Sequence, residues 1–595
     1  MMETILDRLL FADAHPRDGS SGRPDATVFP SARRGYLLGR RALERADFAA
    51  ASQAFDAAAA ADPNYTEALL WGALVRYWSR SPGNPWDQLV AQAAAAAARS
   101  SVGVSDSLHL AGLRHATAHR DNDACAIWSQ AATRFPDDPL HAYALGFCLR
   151  YDRIVLPTRA GSWRYRSSYE RAIRAYERAF QLRPGLIHAL GPRALNDLIE
   201  LLGVRTAVTR TGVGLSPDTI RFRSFPGWAG DTLAFVPLPA ATTLGGAAPE
   251  RLVTAIQRQR ERLLLIARLW RTEYPARADA AEALAVSMDL LGLAGVLDTL
   301  RTARALVEPY DAAEAVRLAA VEVMVRVKYS LPDDLPGLDR AGRLADSLLL
   351  NESSRAPAGS LATIAALRGR GAQAARFAIA AASAGAPSAV NATGPALVAY
   401  AAVGAPLDSL RRIEDRLEQD IRALPAAEQI SPRDNYLHRA AALAFPEYGM
   451  RVLREPPSGR PTASSMTAAA VRGDTVGVRA MIRDVTRTRS MLRPIDVGID
   501  ALLIEASALS AVGDRTGAVA HLDPHLSSIR LAVLGDLTSV PRAAALVRAT
   551  ALRAELAAAL GDAALARRWA RAAKALWSGA DSTNSLPARM SALAR

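Results

Sequence analysis

One four-position spacing recurs three times in the first third of the 595-residue sequence. In each copy a small residue is followed four positions later by an aromatic residue, three positions after that by alanine, and five positions further on by proline. The copies are Ala51/Phe55/Ala58/Pro63, Ala124/Trp128/Ala131/Pro136 and Ala172/Tyr176/Ala179/Pro184. Because offsets of three and four residues place side chains on one face of an α-helix, each copy predicts a helix that presents small residues and one ring to a neighbouring helix.

A glycine precedes the aromatic residue of each copy. The glycine lies sixteen positions before the ring in two pairs, Gly39 with Phe55 and Gly112 with Trp128. In the third pair, Gly146 with Tyr176, the separation is thirty positions, which is sixteen plus an insertion of fourteen residues. Glycine has no Cβ, so it lets two backbones approach closely. A period near 34 residues with this pattern is typical of helix–turn–helix units stacked into a solenoid. The chain resembles tetratricopeptide (TPR) repeat proteins, and the predicted fold class is an all-α, TPR-like helical-repeat solenoid.

The pattern changes after residue 202. Segments 219–223 and 232–236 have the residue types and alternation of strands, with Pro-Gly-Trp-Ala-Gly at 226–230 between them, which predicts a small β-hairpin insertion. Helical patterns resume at Pro249. Four later segments each predict a glycine-centred turn that opens a second helix; they are 367–378, 468–479, 509–519 and 556–570.

The sequence predicts four domains. Residues 1–30 form a flexible N-terminal tail, because their second half is polar and rich in Gly, Ser, Asp and Pro. An N-terminal TPR array follows at 31–202, and we expect it to contain no strand longer than a bridge. The β-hairpin insertion occupies 203–247, and degenerate TPR-like helical repeats fill 248–595.

The predicted location is cytoplasmic. No apolar run approaches the roughly 18 residues that span a bilayer, so we expect no membrane span, and the first residues carry charges that a secretion signal lacks. Cys125 and Cys148 are the two cysteines. Two free thiols suit a reducing compartment, although a disulfide between them remains an open alternative.

The net charge of +13 favours an acidic protein or peptide partner. Only two of the 72 basic residues, Lys328 and Lys574, are lysine. The arginines are spread along the chain, whereas a nucleic-acid site needs a concentrated basic stripe with interleaved rings. We therefore predict no nucleic-acid binding.

Catalytic motifs do not fit this sequence. His119-Arg120-Asp121 matches the first letters of the protein-kinase catalytic loop, but Ala126 stands where that loop needs a metal-binding Asn. His115 and His119 lie four positions apart, and no third metal ligand has a suitable spacing. We predict a protein that is not an enzyme, lacks phosphotransferase activity and uses no cofactor or metal.

Four segments resemble the C-terminal TPR arrays of bacterial serine/threonine protein kinases and related signalling proteins; they are 35–69, 163–184, 231–237 and 568–581. The sequence has no kinase domain, so no catalytic residue carries over. The resemblance implies a non-enzymatic interaction scaffold or adaptor in bacterial signalling or complex assembly. Two alternatives stay open: a regulatory module of a kinase or transcription-regulator system whose effector is a separate chain, and a ligand- or glycan-binding sensor that uses the hairpin.

Partners of TPR arrays usually bind the concave face formed by the first helix of each pair. Counted from the shared register, that face carries Arg33, Tyr36 and Arg40 in one unit, His109 and Leu113 in the next, and Tyr143, Phe147, Arg150 and Tyr151 in a third. Aromatic rings supply buried area, and guanidinium groups bind carboxylates. Tyr143 and Phe147 have an equally open alternative as core residues, so Arg40 and Arg150 are the stronger candidates.

Overall fold

A computed structural model gives the structure of the chain. It describes residues 27–44, 47–79, 86–100, 102–152, 154–157, 163–183, 205–211, 217–229, 232–237, 247–350, 357–383, 389–425, 429, 432–444, 463–488, 497–532 and 534–595. The chain divides into two compact units, Met1–Pro275 and Ala276–Arg595. The predicted domain boundaries at residues 202 and 247 both fall inside the first unit and stay predictions. None of the described helices is long and apolar enough to cross a membrane.

The first unit is a series of helices that pack in chain order. They are α1 (Pro30–Glu44), α2 (Phe48–Ala61), α3 (Thr66–Ser79), α4 (Trp86–Ala97), α5 (Val104–Thr117), α6 (Asp121–Arg134), α7 (Pro139–Tyr151) and α8 (Tyr169–Leu182), with α9 (Ala247–Glu273) after a sheet. Each helix from α1 to α8 contacts the next, as helices joined by short turns do. Thr27, in the predicted tail, donates a hydrogen bond to Asp62 at 2.6 Å. The predicted all-α, TPR-like helical repeat is confirmed.

The glycine–aromatic pairs are the crossing points of three helix pairs. In each, the ring occupies the space next to the glycine backbone. A Cβ on the glycine would lie 2.6 Å from the ring for Gly39 and Phe55, 2.5 Å for Gly112 and Trp128, and 2.8 Å for Gly146 and Tyr176. These distances are too short for any real Cβ. The register predicted from the sequence therefore holds in all three copies, including the one with the insertion.

We expect Gly112→Ala to lower the free energy of unfolding by about 1–3 kcal/mol, because the new methyl group overpacks the contact with Trp128. Gly359→Ala is the matched control, since a Cβ there meets nothing within 4 Å; it should leave stability unchanged or raise it by up to ~1 kcal/mol. Chemical denaturation of both variants measures the difference. Equal effects of the two substitutions would contradict a tight crossing at Gly112.

A five-stranded antiparallel sheet belongs to the first unit. Its strands are β1 (Val155–Pro157), β2 (Trp163–Tyr165), β3 (Arg205–Thr211), β4 (Pro217–Ala229) and β5 (Thr232–Pro237), in the order β1-β2-β5-β4-β3. The first part of β4 pairs with β3 and the last part with β5. The predicted strand segments 219–223 and 232–236 lie in β4 and β5.

Two predictions about this region are wrong. Strands β1 and β2 lie inside 31–202, where no strand longer than a bridge was expected, because the insertion between Gly146 and Tyr176 adds them to the edge of β5. The predicted turn at 226–230 is also displaced, since 226–229 continue β4; residue 230 lies outside the described residues. Proline fits there because the pairing with β3 ends at Ser224, so at Pro226 the strand has one neighbour and its missing N–H is tolerated.

The expectation of free thiols is wrong as well. Cys125 on α6 and Cys148 on α7 form a disulfide, with Cα atoms 5.5 Å apart. A disulfide depends on this spatial distance, which a separation of 23 positions in the sequence does not give. Because α6 ends one helix pair and α7 begins the next, the bond joins two neighbouring repeats.

The second unit is also helical. Its helices are α10 (Ala278–Leu290), α11 (Val296–Val307), α12 (Ala312–Ser330), α13 (Leu335–Leu350), α14 (Ala358–Leu367), α15 (Gly371–Ser383), α16 (Ala389–Ala402), α17 (Leu407–Arg422), α18 (Arg439–Leu443), α19 (Ala463–Val471), α20 (Thr475–Thr488), α21 (Ile499–Ala511), α22 (Arg515–Ser527), α23 (Leu534–Leu537), α24 (Val540–Ala559), α25 (Ala563–Leu576) and α26 (Leu586–Leu593). The four predicted turns are confirmed: each has a glycine with φ between +69° and +86°, at Gly369, Gly473, Gly513 and Gly561.

Helix α24 contacts helices that are distant from it in the sequence: it packs against α14, α16, α21 and α22. In an open solenoid each repeat contacts only its neighbours. Arg548 on α24 donates to the carbonyl oxygens of Ala401 (3.3 Å), Ala402 (3.2 Å) and Leu443. These carbonyls lie at helix C-termini, where no intrahelical N–H reaches them. One guanidinium therefore caps both α16 and α18.

A buried lysine makes a second long-range connection in this unit. Lys328 on α12 is 0% exposed. Its Nζ lies 2.7 and 2.6 Å from the two carboxylate oxygens of Asp289 on α10 and donates to the carbonyl oxygen of Ala532 at 2.6 Å. The three donors of one ammonium group thus hold α10, α12 and the segment after α22 together.

Candidate functional site

Three of the predicted partner-binding residues meet on the side of the first unit formed by α1, α3, α5 and α7. Arg40 and His109 lie against Trp71, and Arg40 donates a hydrogen bond to Tyr36. Asp106 and His141 complete the group. We call these six residues the inner-face cluster.

Two aromatic side chains contact the guanidinium group of Arg40. Its guanidinium carbon lies 4.0 Å from the centroid of the Trp71 ring, a favourable cation–π arrangement, and its Nη1 donates to the Tyr36 hydroxyl at 3.4 Å. The Trp71 Nε1 donates to Asp106 at 3.2 Å, which fixes the indole. Arg40 is half-buried, and within the described part of the chain no carboxylate accepts a hydrogen bond from it.

Helical spacing brings the cluster together. Tyr36 and Arg40 are four residues apart on α1, and Asp106 and His109 are three apart on α5, so each pair shares a helix face. Trp71 and Asp106 are 35 positions apart in the sequence, which is one repeat, so their hydrogen bond joins equivalent positions of adjacent helix pairs.

Two buried histidines stack at the centre of the cluster. The His109 and His141 rings are 4.2 Å apart, with planes 16° from parallel, and both residues are 0% exposed. His141 Nε2 is 2.8 Å from the Ser105 hydroxyl, whereas neither His109 nitrogen has a hydrogen-bond partner among the described residues. Burial lowers the pKa of His109 well below its ordinary value, and the charges of His141 and Arg40 lower it further. Burial also lowers the pKa of His141, although Asp138 opposes the shift.

The lowered pKa values predict a loss of stability in mild acid. The unfolded chain protonates its histidines near pH 6.5, while the folded chain keeps His109 and His141 neutral to lower pH. Their contribution is therefore complete above about pH 6.5 and falls below it, by up to about 1.4 kcal/mol per pH unit for each histidine. Chemical denaturation at pH 7 and pH 5 measures this slope. His109→Phe, which keeps a ring but removes a titrating group, should flatten the slope; an unchanged slope would contradict the assignment.

Carboxylates balance the positive charge around Arg40. Burial lowers the pKa of Arg40, but Tyr36, Asp106 and Asp138 raise it, and the net shift is upward, so the guanidinium stays charged. Burial raises the pKa of Tyr36 far above its ordinary value, against the charge of Arg40, and Glu67 adds to the rise. The hydroxyl of Tyr36 therefore stays protonated.

The remaining predicted residues lie deeper than expected. Tyr143 and Phe147 are each 1% exposed and Arg150 is 6% exposed. The Tyr143 ring lies 5.0 Å from Trp78, and the Arg150 guanidinium lies 4.9 Å from the Tyr151 ring. These side chains pack as core between helices. The other members of the set are placed as follows: Leu113 is buried, and Arg33 and Tyr151 are half-buried.

Three members of the cluster were missed from the sequence: Trp71, Asp106 and His141. Helix α3 lacks the glycine–aromatic spacing, so the repeat pattern does not mark Trp71. A usable signal is a separation of one repeat between polar partners. Hydrogen bonds at 34 to 36 positions recur along the chain, as in Thr27–Asp62, Thr66–Ser100, Trp71–Asp106, Ser105–His141, Glu282–Arg317 and Arg479–Asp514.

The site shows no metal-binding geometry. Among the described residues, no three side chains of the His, Cys, Asp and Glu types are grouped so that they could hold a metal ion. His119 adopts a φ of 54° in the turn before α6, so the kinase-like triplet sits at a helix junction.

No protein-family model matches the sequence. No curated protein matches it either. Solved structures similar to the chain include the crystal structure of the APC/C hetero-tetramer Cut9-Hcn1, at 11% identity, 95% coverage of this chain, 98% of that chain and a TM-score of 0.26. Another is the structure of Naa15/Naa10 bound to HypK-THB, at 11% identity, 94% and 96% coverage and a TM-score of 0.19. Since both TM-scores are low, the TPR-like assignment rests on the helix pairs and glycine crossings described above.

Proposed function

We propose that the chain is a non-enzymatic scaffold that binds a protein partner. The supporting observation is the helix-pair repeat itself, with three crossings in one register: such stacks present extended surfaces to partners. A role in bacterial signalling or complex assembly, with or without a separate effector chain, is part of this proposal and follows from the resemblance of the sequence.

Within the inner-face cluster, Arg40 is the residue we propose to contact the partner. It is half-buried, it is oriented by Trp71 and Tyr36, and among the described residues it donates no hydrogen bond to a carboxylate. The buried members of the predicted set, Tyr143 and Arg150, support the helices behind it.

The carboxylates around Arg40 restrict the kind of chemical group that Arg40 can bind. Because Asp106 and Asp138 already lie near the guanidinium, a partner carboxylate is repelled by them while it is attracted by Arg40. A main-chain carbonyl of an extended peptide accepts the same hydrogen bonds without that repulsion. We therefore propose carbonyl recognition at this position, with binding that depends weakly on salt.

We expect Arg40→Ala to weaken partner binding about tenfold or more, the loss that follows from removing a charge-assisted hydrogen bond. Proteins retained from a native lysate by the wild-type chain and by the variant, quantified by mass spectrometry, give the measurement. Arg34→Ala is the control, because Arg34 is exposed on the same helix. A partner that is lost from neither variant, or equally from both, would exclude Arg40 as the contact.

We also propose a cellular location for the chain. The cytoplasmic prediction depended partly on free thiols, and disulfides persist mainly in oxidising compartments. The Cys125–Cys148 bond therefore favours an oxidising compartment over the cytoplasm.

A further inference from the structure

A cavity of about 750 Å³ lies beside the disulfide in the first unit. Its walls come from α6, from the end of α7 and from the start of α8, and none of its residues belongs to the inner-face cluster. Side chains of α6 line one wall with hydroxyl and amide groups; they are Asn122, Ser129, Gln130 and Thr133. The size suits a small molecule or the tip of a peptide, and the hydroxyl and amide groups favour a polar ligand.

The charge of the lining is positive. Arg134, Arg166 and Arg171 face one acidic residue, Asp152. Arg166 binds Asp152 through two hydrogen bonds of 2.8 and 2.9 Å, so these two charges compensate each other. Among the described residues, no ion pair compensates the charges of Arg134 and Arg171.

Arg134 and Arg171 are both exposed at the cavity. Arg171 donates to the hydroxyl of Ser129 at 3.0 Å, and Arg134 lies 5.8 Å from the Phe135 ring. In the described residues neither arginine has a carboxylate partner. Ser129 and Arg134 are five positions apart on α6, a rise of about 7.5 Å, so the two arginines line different parts of the cavity.

The cavity is held in shape by covalent and polar contacts. Cys125 lines it and is bonded to Cys148 on α7. Ser167 donates to the carbonyl oxygen of Leu149 at 2.6 Å, which fixes the start of α8 against the end of α7. A site whose walls are fixed before binding loses less entropy when a ligand enters.

We propose that this cavity binds an acidic peptide segment, with Arg134 and Arg171 each holding a carboxylate. Guanidinium groups bind carboxylates through paired hydrogen bonds, and the exposed position of both arginines at the cavity lets a peptide continue beyond it. This proposal refines the scaffold function: it places the acidic partner predicted from the net charge here and not at Arg40.

The test is a calorimetric titration of the full chain with acetylated hexaglutamate at 50 mM and 150 mM NaCl. We expect one site, with affinity that falls at the higher salt. Arg134→Gln and Arg171→Gln should each weaken binding about tenfold. Arg178→Gln is the matched control, because Arg178 lies on α8 outside the cavity and pairs with Asp137 at 3.0 Å; it should leave the affinity within about twofold, since an exposed pair contributes little.

Four outcomes would overturn the proposal. They are no binding of hexaglutamate, an equal loss in the Arg178 control, binding of citrate or phosphate without binding of the peptide, and loss of hexaglutamate binding in Arg40→Ala but not in the cavity variants. The last outcome would move the acidic site to the inner-face cluster and leave the scaffold function standing. Failure of the scaffold function is a separate result, seen as a lysate from which the wild-type chain retains no protein.

Discussion

Replacing Lys328 with methionine should lower the free energy of unfolding by about 3–5 kcal/mol, the largest effect that we expect of any single substitution in the chain. Methionine fills a similar volume but removes the ammonium group that lies 2.6 Å from the buried carboxylate of Asp289 in the wild type. It also leaves the carbonyl of Ala532 without its donor. Chemical denaturation monitored by circular dichroism gives the measurement.

The only other lysine offers a matched control. Lys574 is exposed on α25, so Lys574→Met should change stability by less than about 0.5 kcal/mol. The double variant Lys328→Met with Asp289→Leu should recover most of the loss, because a buried ion pair is often replaceable by apolar groups. If Lys328→Met were no more destabilising than Lys574→Met, the buried pair would not be holding the second unit together.

The second large effect concerns the disulfide. Its partners are 23 residues apart, and closing a loop of that length in the unfolded chain contributes about 3 kcal/mol. We expect the variant Cys125→Ala/Cys148→Ala to lose this amount, and we expect a reductant to lower the stability of the wild type but not of the variant. Thiol titration of the denatured, unreduced chain should find no reactive cysteine. Two reactive thiols would contradict the bond.

Local spacing predicts much of this fold. Gly112 and Trp128 must be in contact because their offsets along two helices fix which faces meet, and a Cβ at Gly112 would lie 2.5 Å from the ring. The turn at Gly513 follows for a similar reason: its φ of +83° is one that few residues other than glycine adopt. Both features depend on a few residues that are close together in the sequence, so they can be predicted from the sequence.

The burial of the predicted binding residues could not be predicted from local spacing. Spacing assigns Tyr143 and His109 to a helix face but does not say how closely the opposite helices approach. In the structure Trp78 lies 5.0 Å from Tyr143 and Trp71 lies 5.4 Å from His109, so rings from successive repeats fill the space between them. The cavity at Arg171 was hidden for a related reason, because three separate segments build it.

The contacts of α24 depend on residues that are far apart in the sequence, and they have a consequence for the synthesis of the chain. Arg548 follows Ala401 by 147 residues, which at ~5–20 residues per second means a delay of roughly 7–30 s on the ribosome. During that interval α14 and α16 have emerged without the helix that packs against both of them, and the carbonyl oxygens of Ala401 and Ala402 lack the hydrogen bonds that Arg548 donates. The apolar faces of α14 and α16 that pack against α24 in the folded unit are therefore exposed until α24 arrives.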